Sequence, residues 1–296
     1  MVPSERPDGG APTVTDPLVA VADRLRCPVC TGPVGVIGDK PRVLACTHGH
    51  RFDVARQGHV VLVPGGSTLR ADTAAMVAAR LRVMDSGTLD GVRAALVDAC
   101  AADPDPGLVV DLGAGPGTYV AAVLDALPGH RGVALDLSVP ALRAAARAHD
   151  RLAAVGADLT RPLPLADGSV AVALAVFAPL PSAAELGRVG GAGARLIVVT
   201  PTPVHLAVLR RRLGLLDVPA GKPGRLDERL SERWAPTGRR ESVRSVRLTR
   251  DQAADVVAMG PNAWHADDRL AGALAGLPEE VEDTVAVTVS TYARRV

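Results

Sequence analysis

Residues 107–117 read GLVVDLGAGPG, and no other stretch restricts the fold of the chain so strongly. The apolar run Leu108 to Leu112 predicts a buried strand. It gives way to a glycine-spaced turn, Gly113-x-Gly115-x-Gly117, and then to an apolar helical segment, TYVAAVLDAL. A second strand, RGVALDL, carries Asp136 near its end. Strand, turn, helix, strand and acid in this order make a β-α-β unit, with the acid about 20 residues beyond the glycines.

The pattern continues downstream. A short strand from Leu152 to Val155 precedes Ala157-Asp158, and a fourth strand spans Val170 to Phe177 after the Asp167-Gly168 turn. Ser182 reads as the N-cap of a helix that runs through Val189. Gly190-Gly191-Ala192-Gly193 reads as a turn and Arg195 to Thr200 as a fifth strand. Ser242 to Thr249, a helix from Asp251 to Met259 and a strand near Thr284 to Tyr292 close a hairpin-like end. Seven strands alternating with helices predict a doubly wound α/β sheet of the Rossmann-like kind.

The spacing of the turn selects the ligand. A dinucleotide site wants G-x-G-x-x-G, with its pyrophosphate on the helix N-terminus. Here the spacing is G-x-G-x-G, with Asp111 two residues before the first glycine. S-adenosylmethionine has no phosphate to cradle. Its cationic amino-acid end suits Asp111, its ribose diol suits Asp136, and Asp158 can hold the adenine amino group. The expected fold is therefore a class I methyltransferase, with Asp111, Gly113, Gly115, Gly117, Asp136 and Asp158 around the donor. The tip Phe177-Ala178-Pro179 is expected beside the transferred methyl group.

Ahead of this fold lies CPVCTGPVGVIGDKPRVLACTHGH, residues 27–50, holding three of the four cysteines. Cys27-x2-Cys30 forms one half of a knuckle, and Cys46-x3-His50 forms the other. Tetrahedral zinc takes four such ligands, and two ligands with two residues between them reach one ion from a tight turn. His48 competes with His50, which has the commoner spacing. The segment between, Val34 to Leu44, reads as a hairpin turning at Gly38-Asp39. With all four positions filled by protein, the zinc is structural. Cys100 lies in an apolar helical run and reads as a small buried residue.

Charge is uninformative in total, at +1, but not in distribution. Residues 205–250 hold 12 Arg or Lys against 5 Asp or Glu, and residues 251–296 hold 3 against 8. The first stretch reads either as a solvated basic face or as a phosphate-facing surface built on Arg210-Arg211-Arg212, Arg225, Arg229 and Arg233. No run of about 18 apolar residues is present for a membrane span, and MVPSERPDGGAPTVTD has no signal core. A cytoplasmic protein with no membrane partner is expected, and reduced thiols there bind metal.

Three stretches carry a resemblance to a known family. They are CPVC…CTHGHRFDVARQGHVVLV, then Asp72-Thr73-Ala74-Ala75-Met76 with Ala79-Arg80 and Met84-Asp85-Ser86-Gly87, then VFAPLPSAAELGRV with VVTPTPVHL and AMGPNAWHA. Over roughly residue 25 to the end, the chain resembles the zinc-containing 23S rRNA (guanine-N1)-methyltransferases. By its Ala/Arg-rich composition it is most like the type that acts at guanosine 748 and confers resistance to tylosin-like macrolides. The alternatives are methylation of the neighbouring guanosine 745 and a small-molecule methyltransferase.

The resemblance implies particular roles. Cys27, Cys30, Cys46 and His50 hold zinc, Gly115 and Pro116 contact the donor, and His205 reaches it from the end of the fifth strand. Read on its residues alone, His205 would instead be a satisfied histidine capping the helix that starts near Pro203. Leu89 stands where relatives often carry an aromatic, so only apolar contact with the donor is expected. The RNA partner is a 23S rRNA hairpin loop, and relatives form dimers. The implied organisation is a flexible N-terminal tail (1–22), a zinc-ribbon-like RNA-recognition domain (23–66), a helical linker (67–106) and the methyltransferase domain (107–296). No residue is identified as a catalytic base. With two Trp, two Tyr and two Phe, an aromatic platform for RNA is not expected.

Overall fold

The computed structural model describes residues 16–38, 42–101, 106–219, 221–265 and 268–295. A first short helix, α1 (Pro17–Val21), starts at Asp16, whose carboxylate accepts from the N–H of Leu18 at 2.9 Å. Strands β1 (Val34–Ile37), β2 (Val43–Cys46) and β3 (Arg51–Asp53) form a small antiparallel sheet. The expected hairpin is therefore present; Gly38 at its turn has φ +75°, and Asp39 lies outside the described residues. Strand β4 (Val60–Val61) leaves this unit and joins the main sheet.

Helices α2 (Ala74–Asp85) and α3 (Asp90–Cys100) follow, α2 capped by the Thr73 hydroxyl. Then come β5 (Leu108–Leu112), α4 (Thr118–Ala126), β6 (Arg131–Asp136), α5 (Val139–Ala145), β7 (Leu152–Gly156), β8 (Val170–Val176), α6 (Ala183–Val189) and β9 (Gly190–Pro201). The remainder is α7 (Ala207–Leu213), α8 (Lys222–Leu230), β10 (Trp234–Thr249), α9 (Arg250–Ala258), a 3-10 turn at Pro261–His265, α10 (Asp268–Ala275) and β11 (Glu280–Arg294).

The main sheet has the order β10-β11-β9-β8-β5-β6-β7-β4. Strands β4 to β9 within it are parallel, and β10 and β11 close it antiparallel. Parallel strands need helices on both faces, which is why LVVDL and VAVALAV are apolar almost throughout. The seven expected strands are β5 to β11, and β4 is an eighth supplied by the N-terminal unit. From β5 the chain first builds outward through β6 and β7, then returns to place β8 on the other side of β5. That reversal opens a crevice at the carboxyl ends of β5 and β8, where ligands bind in such sheets.

Several expectations are corrected. Residues 16–21 of the expected flexible tail are ordered: Leu18 and Val21 are buried in the core that lies under β6 and β7. Residues 1–15 lie outside the described ones. The expected helical linker holds α2 and α3, and its Val83, Val92, Leu96 and Cys100 share one core with Val109, Val120 and Val172. The Gly190–Gly193 run is the start of β9 instead of a turn. A Cβ on Gly191 would lie 2.9 Å from the Gly168 carbonyl, so the strand passes too close for a side chain, and the register shifts there. Glycines inside a strand mark such bulges. The strand expected at Ser242 to Thr249 begins at Trp234, and a second register shift, between Pro236 and Gly238, absorbs Thr237 on the sheet edge.

Candidate functional site

The glycine turn after β5 is held from two sides. The N–H groups of Gly113 and Ala114 donate to the Leu135 carbonyl at 2.9 and 3.0 Å, and that of Gly115 donates to the Asp136 carboxylate at 2.7 Å. Gly113 has φ +71°, and a Cβ there would sit 2.8 Å from that of Ala178. Glycine is thus needed for backbone conformation and for the approach of the Phe177-Ala178-Pro179 tip.

Around this turn lies a cavity of about 550 Å³, large enough for a nucleoside-sized ligand. Its wall includes Leu89, Asp111, Gly113, Gly115, Pro116, Asp136, Asp158 and His205, so the structure gathers the expected donor residues in one place. Gly117 sits just behind, as the N-cap of α4. Three buried polar atoms in the cavity residues, Asp111 Oδ2, Thr118 Oγ1 and the Tyr119 hydroxyl, have no hydrogen-bond partner in the protein. A buried polar atom without a partner is costly, and a ligand with an ammonium and hydroxyl groups would satisfy these. The residues therefore fit S-adenosylmethionine.

The three carboxylates differ in state. Burial, then the neighbouring Asp136 charge, pushes Asp111 up to about 7. Burial also raises Asp136, although hydrogen bonds from the N–H groups of Ser138 and Gly115 oppose it. Asp158 is held below the usual carboxylate range by its bond from the Thr160 hydroxyl at 2.6 Å, with the Ser67 hydroxyl on its other oxygen at 2.7 Å. Asp158 is thus already engaged inside the protein, and only its remaining lone pairs are open to an adenine amino group.

His205 does not cap a helix. Its Nδ1 accepts from the N–H of Ala286 at 3.2 Å, which assigns the proton to Nε2. Burial and the nearby Arg210 push it down to about 4, so the ring is neutral at physiological pH. Its ring centroid lies 5.6 Å from that of Phe177. Phe177 itself has φ +57°, a left-handed conformation that costs a phenylalanine on the order of 1–3 kcal/mol.

Arg80 belongs to one of the stretches that carry the resemblance, but no role was expected of it. It reaches Asp72 at 2.5 Å and the Met259 carbonyl at 2.6 Å, and its guanidinium lies against Gly115. Trp264 stands at the same cavity with the Arg70 guanidinium 5.6 Å from its ring centroid. Both depend on segments distant in sequence, so no local pattern could mark them.

In the N-terminal unit, one ligand atom from each of Cys27, Cys30, Cys46 and His50 lies within 4.8 Å of the others. The Cys30 and Cys46 sulfurs are 3.7 Å apart, and His50 Nδ1 is 3.6 Å from Cys27 and 3.3 Å from Cys46. Tetrahedral zinc would set these edges at about 3.6–3.8 Å. The cysteines are not in disulfides, and the donor set fits zinc. His48 Nδ1 touches Cys30 at 3.6 Å but lies outside the four-membered group, to which His50 belongs. Burial raises the Cys46 thiol, but hydrogen bonds from the His50 backbone and ring and the His48 backbone outweigh it and bring it down to about 6.

Of the arginines expected to face phosphate, Arg210 is tied to the Pro203 and His205 carbonyls and Arg229 to those of Leu180 and Pro181. Arg211 and Arg212 are exposed. No described helix is long and apolar enough to cross a membrane.

Comparison with known proteins agrees with this geometry. Residues 25–66 match the N-terminal zinc-ribbon family described as RlmA, N-terminal. A Micromonospora griseorubida protein bearing the provisional name 23S rRNA (guanine-N(1)-)-methyltransferase is 44% identical over 285 residues, covering 90% of this chain and 96% of that protein. The 23S rRNA (guanine(748)-N(1))-methyltransferase of Streptomyces fradiae is 44% identical over 268 residues, covering 89% of this chain and 94% of that protein. Among solved structures, a chain of the Haloferax volcanii complex of the Trm112 methyltransferase activator with a provisionally assigned methyltransferase aligns at 19% identity and a TM-score of 0.49. It covers 77% of this chain and 99% of that one. With a glycine turn, a donor-sized cavity and a Cys3His cluster in one chain, and two such relatives spanning nearly all of it, the chain belongs to the 23S rRNA (guanine-N1)-methyltransferase family.

Proposed function

We propose that the protein methylates N1 of guanosine 748 in a hairpin loop of 23S rRNA and thereby confers resistance to tylosin-like macrolides. The observation that carries this reading is 44% identity, over 89% of the chain, to a relative named for that guanosine. The bound donor supplies an electrophilic methyl group on a sulfonium. Asp111 would neutralise its ammonium, Asp136 would accept from its ribose hydroxyls, and Asp158 would accept from its adenine amino group. Leu89 would pack against it, while Gly113, Gly115, Pro116 and Gly117 bring backbone close. His205, neutral with its proton on Nε2, offers a hydrogen-bond donor and not a base.

The N1 proton of guanine must leave during transfer, and no titratable side chain is assigned to remove it. Most of the rate would come from holding N1 in line with the methyl group, an effect worth several orders of magnitude. Cys27, Cys30, Cys46 and His50 would hold a structural zinc that folds residues 23–66 into an RNA-reading unit, since so short a segment has little core of its own. Residues 67–106 would then carry that unit on the methyltransferase domain of 107–296.

Incubation with labelled donor and 23S rRNA, followed by primer extension, tests the reading. A stop at guanosine 748, with a raised tylosin tolerance in cells expressing the protein, is the expected result. A stop at guanosine 745 would move the target, and label only in small molecules would end the RNA assignment.

A further inference from the structure

We propose that Phe177 is the face on which the extruded target guanine stacks, a nucleobase subsite beside the donor turn. The inference rests on the guanine-N1 reading above. A base taken out of an RNA loop loses its stacking partners, and a protein that holds it in a pocket commonly replaces them with an aromatic ring.

The chain is sparing with such rings, which makes the placement of this one informative. Trp234 and Tyr292 are buried in the core and Tyr119 is buried in the cavity floor. Trp264 borders the cavity, but the Arg70 guanidinium already lies over its ring. Phe177 borders the same cavity and is 41% exposed.

The backbone directs it there. In β8, Ala173 and Ala175 point to the buried face shared with the zinc unit, and strand alternation would send residue 177 to that same face. The left-handed φ of Phe177 breaks the alternation at the strand end. The N–H of Phe177 donates to the Val199 carbonyl at 3.1 Å, which fixes the turned conformation between β8 and β9. Its ring then meets His205, while the adjacent Ala178 packs on Gly113 of the donor turn. The ring therefore stands one residue from the floor on which the donor would lie, at the height where the methyl group must be passed. A strained φ held at a cavity wall is a pointer to function.

The test compares Phe177→Leu, Phe177→Tyr and Phe177→Gly with the wild type on a 23S rRNA hairpin. It reads kcat/KM for the RNA, donor affinity by titration calorimetry without RNA, and the Tm. Loss of a stacked base costs on the order of tenfold or more in kcat/KM, expected for Phe177→Leu and Phe177→Gly. Phe177→Tyr should keep wild-type turnover, because it keeps the ring. Donor affinity should stay within about twofold throughout, and Phe177→Gly should melt no lower than the wild type, because glycine relieves the strained φ. Wild-type turnover by Phe177→Leu, failure of Phe177→Tyr, or parallel loss of donor binding and Tm would overturn the proposal. A wild-type protein that methylates no RNA would defeat the guanine-N1 reading itself, a distinct outcome from equal turnover by wild type and Phe177→Leu.

Discussion

The backbone N–H of Gly115 donates to the Asp136 carboxylate at 2.7 Å, so the acid at the end of β6 also fastens the glycine turn at the end of β5. One oxygen serves the turn, the other accepts from Ser138, and free lone pairs remain for a diol. Asp136→Ala should therefore damage both the turn and the ribose contact. A hydrogen bond to a charged group contributes about 1.5–3 kcal/mol, so donor affinity should fall about 10- to 100-fold. Calorimetric titration with S-adenosylmethionine reads this directly, and an unchanged dissociation constant would remove Asp136 from the site.

Asp111 gives a pH dependence with a definite sign. Its folded value of about 7 stands above the unfolded carboxylate value of 3.8. Between those values the folded protein keeps a proton that the unfolded chain has lost, so stability falls as pH rises from about 4 to about 7 and is level above that. Asp111→Asn should raise the Tm at pH 8 and leave it little changed at pH 4, the difference being on the order of 2–4 kcal/mol. A cationic donor favours the carboxylate, so wild-type donor affinity should drop about tenfold for each pH unit below 7. Asp111→Asn should bind the donor weakly and without that slope. A wild-type affinity independent of pH between 5.5 and 8 would contradict this account.

Zinc should matter to stability more than to donor binding. Cys27, Val34, Leu44 and Cys46 share one core with Leu108, Val110 and Val133, and Val60 and Val61 pair with β7. Chelation should thus lower the Tm by several degrees as well as unfold the N-terminal unit. Asp111 and Asp136, proposed to hold the donor, are not members of this core, though their neighbours Leu112 and Leu135 are, and Asp158 accepts from Ser67 in the segment that follows the N-terminal unit. Cys46→Ala should lose zinc by metal analysis and lose RNA methylation, with donor affinity changed less than about threefold. Loss of donor binding together with the metal would refute the separation of the two functions.

Local chemistry explains which features were legible in the sequence. Ser182 caps α6 where expected, its hydroxyl accepting from Glu185 N–H at 3.1 Å, because a cap is read by its neighbours three residues away. The strands from β5 to β9 were legible because both faces are buried and each reads as an apolar run. Spacing brought out Cys27, Cys30 and Cys46 as one cluster but left His48 beside His50 as its fourth partner, a choice that only three-dimensional placement bears on. Gly190–Gly193 misled because glycine signals both turns and bulges, and only the Gly168 carbonyl beside Gly191 decides between them. The burial of α1 was hidden because a five-residue apolar segment has no periodicity to read. The bonds that engage Asp158 come in part from Ser67, 91 residues away, and no sequence window spans that contact.

Arg80 supplies the last prediction, and it concerns the join between the two ends of the chain. The side chain rises from α2, ties Asp72 to the carbonyl of Met259 just past α9, and lies over Gly115. A guanidinium makes these bonds in different directions from one rigid plane, which a lysine ammonium on a flexible stem cannot match. Arg80→Lys keeps the charge and one of the two bonds. It should destabilise by about 1–2 kcal/mol, a fall of several degrees in Tm, because the Met259 carbonyl loses a charge-assisted donor at a partly buried site. The same change should loosen the cavity wall at Gly115 and weaken the donor about three- to tenfold, whereas Arg93→Lys, on the exposed, singly bonded Arg93–Asp90 pair of α3, should do neither. Thermal melts and donor titrations of the two variants side by side check this, and equal behaviour of both would show that Arg80 is only another surface cation.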